Sequence, residues 1–98
     1  MSFRLRFHEL ALAEWRRLDE SIRRPLKKKL SERLENLRVP SAALSGMKNC
    51  FKIKLASAGY RLMYRVDDDV VYVTVIAVGK REKHRVYEAA HERIVPEK

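Results

Sequence analysis

Hydrophobic and polar positions alternate at the start of the chain. In residues 3–8, FRLRFH, Phe3, Leu5 and Phe7 fall on one face and Arg4, Arg6 and His8 on the other, which is the pattern of a half-buried strand. Helical spacing then takes over, with Ala11, Trp15, Leu18 and Ile22 at i, i+4, i+7 and i+11. Ser21, after Asp19 and Glu20, reads as the cap that starts a second helix. Along that helix Ile22, Leu26, Leu30, Leu34 and Leu37 keep one face apolar. Pro25 lies close enough to its start to be tolerated, because early helical N–H groups have no internal partner. Two amphipathic helices in succession predict a helical hairpin.

Residues 38–49, RVPSAALSGMKN, hold Pro40 and Gly46 and read as a surface loop. Three strands follow. FKIKL (51–55) alternates, Ala56 to Gly59 turns, and YRLMYRV (60–66) alternates again; Asp67, Asp68 and Asp69 turn the chain into VVYVTVIAV (70–78), apolar on both faces. A strand of that kind is central or covered on both sides. Glu82 to Ile94 closes the chain as a short helix with Val86, Ala90 and Ile94 inward. The order is β-α-α-β-β-β-α. Strands joined by tight turns pair antiparallel, so the expected architecture is an α+β domain over residues 1–98: a twisted antiparallel sheet with the hairpin packed on one face.

Composition narrows the function classes. At 98 residues, 46% hydrophobic and with three Gly and three Pro, the chain has little room for linker and suits one small core. A single cysteine, Cys50, makes no intrachain disulfide, which suits a reducing cytoplasm, and beside Phe51 it reads as a small packing residue. The longest apolar stretch is about half of a membrane span, and the N-terminus carries charge where a signal peptide is apolar. Lys plus Arg is 22 against 13 acidic residues, a net charge of +9, the electrostatic footprint of a nucleic-acid binder; an acidic protein partner would also suit it.

Alternation concentrates that charge. With Phe51, Ile53 and Leu55 turned to the core, Lys52 and Lys54 leave the opposite face. With Tyr60, Leu62, Tyr64 and Val66 inward, Arg61, Met63 and Arg65 join them. Setting Ile53 opposite Leu62 brings Lys54 opposite Arg61. A two-residue slip keeps every cation on the same face. Like charges facing each other across a sheet are destabilising, and the arrangement reads as a phosphate-holding surface. Lys80, Arg81 and Lys83 follow at the end of the last strand, near a helix start whose N–H groups also favour anions. His84, Tyr87 and His91 make one stripe on the closing helix; taken alone, Tyr87 reads as an ordinary packing residue.

These segments resemble the RelE family of bacterial and archaeal toxins. The resemblance runs from ALAEWRRLD through LKKKLSERLENLR and LSGMKNCFKIKL to GYRLMYRV and VIAVGKREKHRVYEAA, with GYRLMY and VGKRE-plus-VY its most specific parts. It implies a small α+β toxin that enters the A site of the 70S ribosome and cuts the bound mRNA codon. It further implies a RelB-like antitoxin that wraps the toxin and reaches operator DNA with it, so that the pair represses its own operon. Carried over by motif, the family's functional positions are Lys52 and Lys54 in KIK, Arg61 in GYRL, Arg81 in GKRE and Tyr87 in VY. His84 is not part of the pattern of the nearest members, although some relatives use a C-terminal histidine as acid or base.

RNA cleavage without a metal requires a deprotonated 2′-OH, a stabilised phosphorane and a protonated 5′-oxygen. Many ribonucleases use His or Glu for the transfers; here the set is mainly Lys, Arg and Tyr. Crowding by like charge loosens an ammonium proton, which makes Lys52 or Lys54 a candidate base or acid, with Tyr87 the rival base. Arg61 and Arg81 suit the electrostatic role, since a guanidinium gives up its proton reluctantly. Weak proton-transfer groups gain most from a substrate delivered in reactive geometry, so dependence on the ribosome is expected. Arg23, Arg24, Lys27, Lys28, Lys29 and Arg33 on the second helix would then contact ribosomal RNA, with Arg65, Lys80 and Lys83 as further phosphate contacts. No cofactor or metal is expected: neighbouring residues of an Asp67–Asp69 strand would point to opposite faces, and acidic triplets at hairpin tips are usually turns. The rival reading is a non-catalytic basic module that binds a protein such as gyrase or serves as a co-repressor.

Overall fold

The computed structural model describes residues 4–36, 38–44, 46–67, 72–80 and 85–94. The elements are β1 (Arg4–Phe7), α1 (Glu9–Arg16), α2 (Glu20–Arg33), β2 (Cys50–Leu55), β3 (Tyr60–Asp67), β4 (Tyr72–Lys80) and α3 (Arg85–Ile94), with short 3-10 turns at Pro40–Ala42 and Ala56–Ala58. This is the expected α+β order.

The four strands lie in the order β1-β4-β3-β2. β2 pairs with β3 and β3 with β4 antiparallel, as their tight connections require. β1 pairs parallel with β4, Arg4 beside Tyr72 through Phe7 beside Val75, so the sheet is mixed rather than wholly antiparallel. The helical hairpin and the β2–β3 hairpin separate β1 from β4 in the chain, and tight-turn reasoning says nothing about so distant a pair.

Ladder register follows the alternation: Ile53 stands opposite Leu62 and Lys54 opposite Arg61. Strict alternation fails once. Met63 pairs with Ala77 and Tyr64 with Val75, leaving Ile76 as a bulge residue. The bulge turns Val73, Val75 and Val78 toward α1 and α2, with Ala11, Leu26, Leu30, Ile53, Leu62 and Tyr64. Ile76 and Ala77 face the other way, with Met63, Cys50, Val86 and Ala90. The sheet therefore has a core on each face, with α1 and α2 on one and α3 on the other.

Three local expectations change. The α2 cap is Asp19, whose carboxylate accepts from the backbone N–H of Ser21 at 3.0 Å; Ser21 lies inside the helix. Leu34 is the C-cap, so the apolar face ends there, and Leu37 lies outside the described residues. The 38–49 stretch is more than a surface loop. Ala42, Leu44 and Met47 are buried, and Ala43 bridges Phe51 with Leu44 N–H donating to Cys50 C=O, which covers part of the outer edge of β2. Cys50 is buried as expected, and burial pushes its thiol pKa up.

Candidate functional site

The sheet face carrying Cys50, Lys52, Lys54, Arg61, Met63 and Arg65 also receives α3, which packs on Met63, Ile76 and Ala77 through Val86 and Ala90. The basic face is thus partly roofed. Gly79 lies opposite Arg61 on the ladder, and a Cβ placed there would meet Val86 at 3.9 Å. The start of α3 therefore lies within van der Waals reach of the strand beside Arg61. Tyr87, next to Val86, is half-buried and packs against the same cluster.

Arg61 departs most from the free surface cation that alternation suggests. Only 6% of its surface is exposed. Nη1 donates to Tyr60 C=O at 3.1 Å, while the buried Nε finds no hydrogen-bond partner. Burying a charged donor without full compensation is costly, and a phosphate oxygen is the natural acceptor for it. Lys54, directly across, is exposed and Lys52 is half-buried.

The outer edge of β2 borders a groove of about 600 Å³. Lys29, Glu32, Arg33 and Asn36 line one wall, Val39, Ser41 and Ala42 the end, and Lys52, Ile53 and Lys54 the other wall. The cations of α2 and those of the sheet therefore meet along one channel. Arg33 is not free within it: its Nη1 donates to Lys52 C=O at 2.9 Å and to the Tyr64 hydroxyl at 3.2 Å.

Several of the cations expected to contact nucleic acid also have partners within the chain. Arg23 Nη1 donates to Leu18 C=O at 3.0 Å, with longer contacts to Trp15 C=O and Arg16 C=O, and Nη2 pairs with Glu20 at 2.7 Å. It closes the end of α1, as a cation at a helix C-terminus does. Arg65 pairs with Asp67 at 3.2 Å, because residues two apart on a strand share a face. Asp67 lies at 3.9 Å from Arg6 as well, so its carboxylate serves an ion-pair cluster. Arg24 pairs with Glu20 at 3.3 Å on the open surface. Lys27, Lys28 and Lys29 are exposed, and so is Lys80, whose ammonium lies 5.9 Å from the centre of the Tyr60 ring. Arg81, Lys83 and His84 lie outside the described residues; His91 is exposed beside Tyr87.

The family model for the ParE toxin of type II toxin-antitoxin system, parDE, matches residues 5–85. The mRNA interferase toxin RelE of Escherichia coli K12 is 53% identical over 95 residues, covering 97% of this chain and all of that protein. The chain belongs to the RelE/ParE family of type II toxins.

Solved RelE structures share its fold. A double arginine-to-alanine variant of E. coli toxin RelE in the free state superposes with a TM-score of 0.89 at 52% identity, covering 97% of this chain and 100% of that one. The intact E. coli RelBE toxin–antitoxin complex matches with a TM-score of 0.79 at 53% identity, over 85% of this chain and 100% of that one. Two residues that join α1, β4 and α3 in this RelE-family chain escaped sequence reasoning. Glu14 and Arg93 are charged residues on the inward stripes of α1 and α3, at i+3 from Ala11 and Ala90 respectively. A charge on an apolar stripe was the available signal.

Proposed function

We propose that this chain is a ribosome-dependent endoribonuclease toxin that cuts mRNA in the ribosomal A site and is held in check by a RelB-like antitoxin. The observation that carries the reading is 53% identity with an mRNA interferase over nearly the whole chain, joined to a basic site whose central arginine is buried with an unfilled donor.

In this reading the Arg61 guanidinium faces the scissile phosphate and offsets the charge that builds on the phosphorane. Lys52, Lys54 and Tyr87 stand around it as the groups that exchange protons with the 2′-OH and the departing 5′-oxygen. Arg81, one residue past β4, adds a second guanidinium. Attack by the 2′-oxygen on phosphorus breaks the bond to the 5′-oxygen, which leaves with a proton, and the product is a 2′,3′-cyclic phosphate. These groups are poorly matched to proton transfer near neutrality, so the ribosome contributes by holding the codon in line for attack. Arg24, Lys27, Lys28, Lys29 and Lys80 are exposed cations suited to ribosomal RNA, through phosphate contacts that carry no sequence information.

The net charge of +9 favours an acidic antitoxin segment, and the pair reaches operator DNA through the antitoxin. A toxin that acts on ribosomes would work in the cytoplasm. Among the described residues no helix is long and apolar enough to cross a membrane.

The test is 5′-end mapping of one mRNA, naked and programmed in the A site, with and without a cognate antitoxin. Cuts confined to the A-site codon and abolished by antitoxin are expected. An intact message in both formats overturns the nuclease reading.

A further inference from the structure

Among the described residues, α3 has little apolar area to hold it. It is ten residues long, about 15 Å, and a helix that short is marginal unless packing supports it. Its buried side chains on the sheet are Val86 and Ala90, both small. Arg93 continues the same stripe, one turn on.

The Arg93 guanidinium reaches across the edge of the sheet. Nη1 and Nη2 donate to Glu14 Oε1 and Oε2 at 2.9 and 2.8 Å, a bidentate pair, and Nη1 donates to Ile76 C=O at 2.9 Å. Glu14 Oε1 in turn accepts the backbone N–H of Val78 at 3.0 Å. The side chains are 12% and 26% exposed. β1 has ended at Phe7, beside Val75, so this stretch of β4 has no strand on that side. Two charged side chains, one from each face of the sheet, take its outward polar groups instead.

We infer that Glu14 and Arg93 are positioning residues for cleavage: they fix the seat and rotation of α3 on the bulged part of β4 and thereby aim Tyr87 at the Arg61 site. The inference rests on the catalytic reading of Tyr87 given above. One end of α3 is fixed by Val86 against Gly79 and the other by Arg93 against Glu14, so Tyr87 lies on a helix held at both ends. Each charged group also serves a backbone group of defined polarity, which makes the pair directional. Exchanging the two residues would set a carboxylate against Ile76 C=O and a guanidinium against Val78 N–H.

The experiment is single-turnover A-site cleavage by Arg93→Ala, Arg93→Lys, Glu14→Gln and the Glu14→Arg/Arg93→Glu exchange, each in the wild-type and Tyr87→Phe backgrounds, with ribosome affinity measured in parallel. Arg93→Ala is expected to slow cutting by about 10- to 100-fold, the scale of a small misplacement of a reacting group, at unchanged ribosome affinity. Arg93→Lys should recover part of the loss, and the exchange none. In the Tyr87→Phe background, Arg93→Ala should cost less than about threefold more, because both changes remove one contribution. Arg93→Lys and Glu14→Gln keep a donor or an acceptor in place and serve where Arg93→Ala does not fold. Full-rate cleavage by Arg93→Ala, rescue by the exchange, or losses that multiply in the Tyr87→Phe background would overturn the inference and leave the site reading intact. Full-rate cleavage by Tyr87→Phe would overturn the role of Tyr87 and the inference with it.

Discussion

Lys54 and Arg61 occupy one rung of the β2–β3 ladder, two cations facing each other, yet Lys54 is exposed and Arg61 is 6% exposed with an unpartnered Nε. A like-charged rung and a buried guanidinium with a spare donor both work against stability. Replacing Arg61 by Leu should therefore leave the fold as stable or raise its stability by up to about 2 kcal/mol in urea unfolding, while A-site cleavage falls by about 100-fold or more. A clear drop in the unfolding midpoint would instead make Arg61 a structural prop.

Arg33 ties α2 to the edge of the sheet through Lys52 C=O and the Tyr64 hydroxyl. Arg33→Met keeps the aliphatic stem and removes both bonds, and should cost about 1–3 kcal/mol. Amide exchange should quicken in β2 more than in β4, because β2 is an edge strand and β4 a central one.

Burial pushes the Tyr64 hydroxyl pKa up, and the Arg33 guanidinium pulls it partly back. The folded chain therefore keeps this proton after the unfolded chain has released it. The tyrosine contributes its full stability below about pH 10 and loses it as the pH rises through the folded value. Tyr64→Phe should remove that part of the alkaline slope in urea unfolding measured from pH 8 to 11.

At the acid end the signs reverse. The Ser21 side-chain and backbone donors hold the Asp19 carboxyl below its ordinary range, and the Arg23 guanidinium does the same for Glu20. Their contribution is present above the ordinary carboxylate range and is lost as the pH falls through the folded values, below about pH 4. Asp19→Asn keeps a capping oxygen but cannot titrate, so its stability should depend less on pH in this window than that of the wild type.

Gly79 tests how closely α3 must lie on the strand. An alanine Cβ there would meet Val86 at ordinary van der Waals distance, 3.9 Å, so Gly79→Ala should keep stability within about 0.5 kcal/mol and keep cleavage. Gly79→Leu should lift the start of α3 and slow cutting without abolishing the fold, as read by near-ultraviolet circular dichroism beside the cleavage rate.

The strands and helices were legible in the sequence because alternation and helical spacing report directly on which side of an element is dry. The Lys54–Arg61 pairing followed from keeping Ile53 against Leu62. Three features lay beyond that logic. The parallel β1–β4 pair joins strands far apart in the chain. The bulge at Ile76 breaks the period of two within a run whose residues are all apolar or small, so no polar residue marks the change of phase. The burial of Arg61, on a strand face where alternation predicts an open cation, is a tertiary fact. Arg23, Arg33 and Arg65 looked like free cations for the same reason: a guanidinium on a surface stripe and one bonded to a neighbouring carbonyl have the same sequence signature.

Rates of A-site cleavage by the wild type, Arg61→Leu and Lys54→Met on saturating programmed ribosomes, with binding measured separately, decide whether Arg61 holds the phosphate. A buried phosphate-holding arginine predicts that Arg61→Leu binds ribosomes as the wild type does but cuts at least about 100-fold more slowly, with Lys54→Met also slowed. Wild-type cutting by Arg61→Leu would contradict it.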